Sequence, residues 1–296
     1  MYEWFNAAAL DRQLDVVEER WNLCTQNQMS VAQVLYNGLE DLKPTIDFID
    51  YVKQVTVKGR DDSFEFRLRF NEEDYLDIDW VKVDPNNAPY GVGRTVIRNA
   101  VDLASRLGFQ TAYIDAQDFN GGYAWAKCGF KLKANAEGHD KKVNDRFIEA
   151  LSIKAEAMRD YLDRQECKVL EDLYPASRLY EVANMDRDIM SNLQEIWQEY
   201  HSLDDRYAYI SEFINNTQRK SRTRVISEFE GENFFDQMRR ENREIKLGQF
   251  LLLGMSWIGE IDLSDEEQLK RLDNYVDQVK NVPAGATPRT RALTAC

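Results

Sequence analysis

The sequence predicts an α+β fold: a mixed central sheet with flanking helices, followed by a large and mostly α-helical C-terminal region. Three observations carry that prediction. Phe64, Phe66, Leu68 and Phe70 alternate with Glu65, Arg67 and Arg69, the period of a strand with one buried face. On either side of it, apolar residues recur at three- and four-residue steps. These are Leu10, Leu14, Val17 and Trp21 before it, and Val96, Ile97, Ala100, Val101, Ala104 and Leu107 after it. From residue 140 to 240 the chain is charged and helical in period, and Pro175 alone interrupts it.

Taken in order, residues 1–43 read as helices, the second patterned by Val31, Val34, Leu35 and Leu39. Lys43-Pro44 ends it, because proline pushes the residue before it out of the α region. Val52–Lys58 is strand-like, and Gly59-Arg60-Asp61-Asp62 supplies a turn. Tyr75–Val83 follows the Phe64–Phe70 strand on a short connection, which completes an antiparallel meander of three strands. A helix from Gly91 to Leu107 is closed by Gly108. A strand at Thr111–Ala116, a short helix near Gly121–Cys128 and a strand at Phe130–Lys133 complete a sheet core over residues 50–135. Residues 1–139 are therefore expected as one domain.

Residues 140–282 form a mostly helical domain or an insertion. Phe147, Leu151, Ala155, Met158 and Leu162 make one stripe, and Met190, Leu193, Ile196 and Trp197 another. Such stripes need a partner surface: the other helices, the sheet or a second subunit. Phe250–Leu263 reads as a strand returning to the sheet. Ser264-Asp265-Glu266-Glu267 is a capping box opening a last helix to about Val279. Residues 283–296 read as a flexible tail.

Composition excludes several classes. With 296 residues, 43% of them hydrophobic, the chain can build a core. Its 52 acidic and 38 basic residues give a net charge of −14, which offers no positive face to a nucleic-acid backbone or an anionic membrane surface. Cys24, Cys128, Cys167 and Cys296 lie far apart, with only His139 and His201 beside them, so no metal site is expected. The cysteines read as reduced thiols in a cytoplasmic protein, Cys128 as a core residue. Met1–Trp4 lacks the basic and apolar regions of a signal peptide. The basic run Arg219–Arg224 reads as a solvated loop or a grip for an acidic partner.

Chemistry concentrates in Leu76–Phe130. Leu76, Ile78 and Trp80 share one phase, and then Val81 and Val83 are the apolar residues. Such a slip is a β-bulge, or else a strand end buried on both faces. Next comes Ala88-Pro89-Tyr90-Gly91-Val92-Gly93-Arg94, a strand-to-helix loop with two glycines. Unpaired amides and the positive end of the helix dipole suit such a loop to a pyrophosphate. It is not a Walker A loop, because no Gly-Lys-Ser/Thr follows. It is not a full GxGxxG fingerprint, because Val96 stands at the last position.

The order of these elements resembles the GCN5-related N-acetyltransferases. Gly91 and Gly93 match that family's acyl-CoA loop, [Gln/Arg]-x-x-Gly-x-[Gly/Ala], while Ala88 replaces its leading residue. Asp118 to Phe130 follow its second motif, Asn-x-x-Ala-x-x-x-Tyr-x-x-x-Gly-Phe. Gly129-Phe130 match in place, Trp125 holds the tyrosine position and Asp118 the asparagine position. The resemblance implies acetyl-CoA or another acyl-CoA as co-substrate. The backbone of Val81 and Val83 would hold pantetheine, and the amides of Tyr90, Gly91, Val92, Gly93 and Arg94 the pyrophosphate. Asn120 and Trp125 complete the expected cofactor contacts. Asp77 or Asp79 would be the general base, unless both are solvent-facing strand carboxylates. Tyr123 is the remaining phenol for a general acid, two residues from Trp125.

The function so implied is acyl transfer to an amine on a small molecule or protein. The alternative is a catalytically degenerate binding or structural protein on the same fold. The run Asn120 to Ala126 resembles that of divergent phage-encoded domains, which favours the alternative. A third reading is an acidic helical adaptor with an incidental α/β core. Under any of the three, the helical region could mediate an oligomer.

Overall fold

The computed structural model describes residues 7–71, 75–84, 88, 91–116, 121–171, 178–189, 191–192, 195–196, 199, 244–252 and 254–280. Met190, Leu193, Trp197, the basic run at 219–224, the tail at 283–296, and Tyr90 and Asn120 of the expected site lie outside those residues, as do the side chains of Leu10 and Leu14.

Helices α1 (Ala7–Gln26) and α2 (Gln28–Tyr36) precede four antiparallel strands: β1 (Thr45–Ile49), β2 (Gln54–Lys58), β3 (Phe64–Asn71) and β4 (Tyr75–Val83). The meander thus has one strand more than the sequence pattern indicated. β1 is five residues long, and none of its side chains is buried, so its alternation is weak. Helix α3 (Val92–Arg106) then leads to β5 (Thr111–Ala116), which runs parallel to β4. After it come α4 (Gly121–Lys127), β6 (Lys131–Leu132), α5 (Gly138–Ala157), α6 (Arg164–Glu171), α7 (Leu179–Ala183), α8 (Leu247–Leu252), β7 (Trp257–Asp262) and α9 (Glu266–Lys280). The seven strands form one mixed sheet in the order β1-β2-β3-β4-β5-β7-β6.

By compactness the chain divides into Met1–Ile114 with Glu260–Cys296, and Asp115–Gly259. The boundaries fall inside β5 and β7. In the first unit one face of β2 to β4 is apolar and buried. Phe64, Phe66, Leu68, Leu76 and Ile78 are each at most 2% exposed. Such burial contributes about 1.5–3 kcal/mol per side chain. Trp21 of α1 closes on Phe70 edge to face at 5.3 Å, and Phe70 on Phe109 at 5.4 Å. In the second unit Trp257 is fully buried, with Phe147 of α5 at 6.0 Å. Asn144 clamps β7 there: its side chain donates to the Ile258 carbonyl at 3.1 Å and accepts from the Ile258 amide at 2.8 Å.

Three further expectations are corrected. Phe250–Leu252 is helical, and only Trp257–Asp262 of the expected Phe250–Leu263 strand joins the sheet. α8 is buried throughout, and a short apolar run has no period that distinguishes helix from strand. A Cβ on Gly248 would collide with the Val182 carbonyl oxygen, so glycine is what lets α8 approach the end of α7. The last helix is capped by Asp265 rather than Ser264. Asp265 accepts from the amides of Glu267 and Gln268 at 3.0 and 3.2 Å. The Phe147 stripe stops before Leu162, because α5 ends at Ala157 and a 3-10 turn, Arg159–Tyr161, follows.

Candidate functional site

β4 changes character at one residue. On the β3 side Leu68 pairs with Ile78 and Arg67 with Trp80, so Asp79 is the extra residue of a bulge. On the β5 side the parallel ladder runs from Tyr75–Thr111 to Ile78–Ile114. Among the described residues it has no pair beyond that point. The edge of β4 from Asp79 to Val83 therefore presents backbone groups outside the ladder.

The bulge also sets the faces. Residues directly opposite in an antiparallel pair share a face. Val81 and Val83 lie opposite Phe66 and Phe64 on the apolar face, yet both are half-buried. Trp80 lies opposite Arg67 on the other face and is 45% exposed, with the guanidinium 6.0 Å from its ring. This corrects the phase read from the sequence, which put Trp80 with Leu76 and Ile78. The slip comes one residue earlier, at Asp79.

Helix α3 begins at Val92. Gly91 caps it at φ 89°, a left-handed conformation that favours glycine. The first intrahelical bond is Thr95 N–H to the Gly91 carbonyl at 3.1 Å, so the amides of Val92, Gly93 and Arg94 are the first-turn donors that a helix cannot satisfy itself. Gly93 thus lies inside the first turn, and only Gly91 precedes the helix. The turn holds no acidic side chain. Arg94 is buried at 6% exposure and points into the protein. It donates to the Tyr275 carbonyl at 3.2 Å and stacks on the Tyr275 ring at 3.9 Å.

The two carboxylates proposed as base share one guanidinium. Arg69 donates to Asp77 at 2.7 Å and to Asp79 at 3.2 Å. The Asp77 hydrogen bond is the chief reason that Arg69 titrates above its usual range. Asp79 is the more exposed of the pair, 33% against 18%. Tyr75 and Tyr113 meet edge to face at 4.1 Å, and Tyr113 is the β5 partner of Asp77.

In the other unit, α4 carries Tyr123 and Trp125 on different sides. Trp125 is 8% exposed and packs edge to face on Phe130 at 5.1 Å. Tyr123 is half-buried, with the Lys127 ammonium 5.7 Å from its ring. Asn184 accepts from that ammonium at 2.8 Å. Gly129-Phe130 ends the helix: Gly129 has φ 90°, and the amides of Gly129 and Phe130 return to the carbonyls of Ala126 and Trp125. A second buried cation, Lys154, donates to the carbonyls of Phe250 and Leu251 at 3.1 and 3.3 Å, and burial pushes it down to about 7.

Sequence reasoning missed Arg69, Lys127 and Tyr275. Arg69 was visible only as an outward residue of β3; its pairing needs the register. Tyr275 lies 181 residues from Arg94, a distance no local pattern spans. Among the described residues no helix is long and apolar enough to cross a membrane, and no group of three His, Cys, Asp or Glu could hold a metal.

No protein-family model matches the chain, and no curated protein matches it. Among solved structures the chain is similar to nourseothricin acetyltransferase, at 17% identity and TM-score 0.24, over 30% of this chain and 59% of that one. It is also similar to a Lactobacillus plantarum protein provisionally named as an N-acetyltransferase, at 16% identity and TM-score 0.25, over 38% of this chain and 84% of that one. The chain thus spans under two thirds of the nourseothricin enzyme.

Proposed function

We propose that the chain is an acyltransferase, moving an acetyl or other acyl group from acyl-CoA to an amine. One observation carries this reading. The β4–β5 ladder stops at Ile78–Ile114, where the Asp79 bulge begins, on the strand that leads into the Gly91-capped helix. A strand edge left open this way can accept an extended amide chain such as pantetheine as an added strand. First-turn amides at a helix N-terminus are a seat for pyrophosphate. Both features fit an acyl-CoA, which carries those two groups in sequence.

In this reading the backbone of Val81 and Val83 holds the pantetheine amides, and Gly91, Val92, Gly93 and Arg94 hold the pyrophosphate. Asp79 or Asp77 takes the proton from the incoming ammonium. The amine nitrogen then bonds to the thioester carbon, and as the carbon–sulfur bond breaks the nitrogen gives its second proton to water while the thiolate takes a proton from Tyr123 or from water. Arg69 keeps both carboxylates on one face of the strand. The acceptor is an amine-bearing small molecule or protein in the cytoplasm.

A second reading has its own observation. Trp125, at the position where the family has tyrosine, is packed against Phe130, and an indole N–H is no proton donor for a thiolate. A protein that binds acyl-CoA without turning it over fits that arrangement.

Calorimetry with acetyl-CoA is the test. Wild type is expected to bind, and Gly91→Val to bind at least tenfold more weakly, because a branched side chain is strained at that φ and blocks close backbone approach. No heat from wild type at millimolar acetyl-CoA removes both readings. Binding without acylation of any member of an amine library leaves the second.

A further inference from the structure

We infer that Trp80 sets the acceptor preference of the proposed site, selecting an amine carried on a flat ring; this rests on the acyl-CoA reading above. The motive is what the bulge does to side chains. Along β4 buried and less buried residues alternate up to Ile78, and then Asp79 and Trp80 are exposed in succession. In a regular strand neighbouring side chains take opposite faces, and one of these two would have joined the core. The extra residue of the bulge keeps both outside.

The register gives the same placement. Trp80 lies opposite Arg67 and Asp77 opposite Arg69, and those two arginines, two residues apart, share a face. The Asp79 carboxylate reaches that face too, because it accepts from Arg69 at 3.2 Å. An exposed carboxylate and an exposed indole therefore stand in consecutive residues. They come directly after Ile78, where the described β4–β5 ladder ends.

The neighbouring charges divide the work between them. Glu65 accepts from Arg67 at 2.9 and 2.7 Å, so that guanidinium is matched on its own strand, 6.0 Å from the Trp80 ring. Arg69 makes its shorter bond, 2.7 Å, to Asp77. Asp79 has the longer one and is the more exposed carboxylate. An ammonium is drawn to a full negative charge more strongly than to a ring quadrupole. It goes to Asp79, one of the two candidate bases, and the indole is left for whatever carries the amine. A flat ring suits an exposed indole, because paired aromatic rings gain more than the area they bury. A polyamine has no ring to stack there, and its further charges would approach Arg67 and Arg69.

The experiment is calorimetry on the full chain, first with acetyl-CoA, then at saturating CoA with phenethylamine and cyclohexylethylamine. The two amines share a carbon skeleton and an ammonium and differ in the flatness of the ring. Wild type is expected to prefer phenethylamine by about three- to tenfold, the size of an aromatic pair beyond its area. Trp80→Leu should abolish the preference, and Trp80→Phe should keep it. Asp79→Asn should weaken both amines alike, because it removes the partner of the ammonium and not that of the ring. No preference in wild type, a preference that survives Trp80→Leu, or tighter binding of spermidine than of phenethylamine overturns the inference while the acyl-CoA reading stands. So does a chain that binds acetyl-CoA and neither amine. Wild type that binds no acetyl-CoA overturns the acyl-CoA reading and the inference with it.

Discussion

Helices α3 and α4 carry the two sequence motifs of interest, and they end alike. Gly108-Phe109 and Gly129-Phe130 form the same left-handed cap, each glycine at positive φ and each phenylalanine buried behind it. Their beginnings differ. α3 opens on Gly91 at positive φ, and its first-turn amides have no partner within the helix. α4 opens on Gly121-Gly122, and Gly122 faces backbone. A Cβ there would meet the Met255 carbonyl oxygen at 2.5 Å and that of Leu252 at 2.9 Å, and Trp257 donates to the Gly122 carbonyl at 3.2 Å. In the proposed function the first glycine turn is a surface for a ligand; the second closes a core. Gly129-Phe130, half of the second motif, is explained by helix termination alone, as it is at Gly108-Phe109. The bulge and the Gly91 cap are the parts of the resemblance that helix-making does not account for.

The strongest way to break this comparison is deletion of Asp79. The bulge inserts one residue between Ile78 and Trp80, so its removal restores regular alternation: Ile78 in, Trp80 out, Val81 in. No side chain changes face. The expected outcome is a folded protein by circular dichroism that has lost at least a hundredfold in acetyl-CoA affinity. Unchanged affinity would mean that the strand edge does no binding and that the α3 half of the contrast is also only structure.

The next largest effect separates the glycines directly. Gly122→Ala forces a methyl group against two carbonyl oxygens on the backbone, which cannot rotate away as a side chain would. A loss of about 2–3 kcal/mol in urea unfolding is expected, with affinity unchanged in the molecules that remain folded. Gly91→Ala is expected to cost only about 1–2 kcal/mol, the strain of a left-handed alanine, and to weaken acetyl-CoA as well. Equal stability losses with equal affinity losses would erase the distinction between the two turns.

Much of this was legible before the structure, and the failures have physical causes. Tyr75–Val83, the glycine-capped α3 and Thr111–Ala116 were read correctly because alternation, positive-φ glycine and helical period are local signals. Trp80 was placed on the wrong face because the slip could be put at either of two residues, and an exposed tryptophan is the unexpected choice. Phe250–Leu252 was taken for strand because buried residues on every side carry no period. Arg94 was assigned only a backbone amide at the pyrophosphate. Its partner, Tyr275, is distant in the chain, so the inward turn of its side chain had no sequence signature. Arg69 reaches both carboxylates because the register sets it opposite Asp77, and Asp79 follows two residues on; a cross-strand register is not readable from local sequence.

A smaller effect comes from α5, where one helix holds two lysines in opposite surroundings and so tests the role of burial apart from either motif. Lys141 is exposed and pairs with Asp145 at 2.6 Å. Lys154 is buried, and its folded-state value falls to about 7 from the usual 10.5. Between those values the unfolded chain binds the proton and the folded chain does not, so stability should rise with pH across that window, by up to about 1.4 kcal/mol per unit. The two N–H groups of the neutral amine suffice for the carbonyls of Phe250 and Leu251. Urea titrations from pH 7 to pH 10 should show the slope in wild type and in Lys141→Met, and lose it in Lys154→Met. A slope that survives Lys154→Met would assign it to other groups.

The smallest effect bears on the second motif and on the choice between enzyme and binder. Trp125→Tyr introduces the residue that the resembled family carries at this position. If Trp125 faced a reacting thiolate, the substitution would supply a proton donor and raise turnover. Its ring instead packs on Phe130 at 5.1 Å and is 8% exposed, so tyrosine would leave a gap and bury a hydroxyl. Burying a hydroxyl without a partner costs about 1–3 kcal/mol, and the part of the ring that is lost adds to it. The expected result is a loss of at least about 1 kcal/mol in stability, with acylation no faster than in wild type. Tyr123→Phe is the companion variant. It removes the half-buried phenol under the Lys127 ammonium, and acyl transfer should slow if that phenol supplies the proton. Faster turnover in Trp125→Tyr with no change in Tyr123→Phe would reverse the roles of these two side chains.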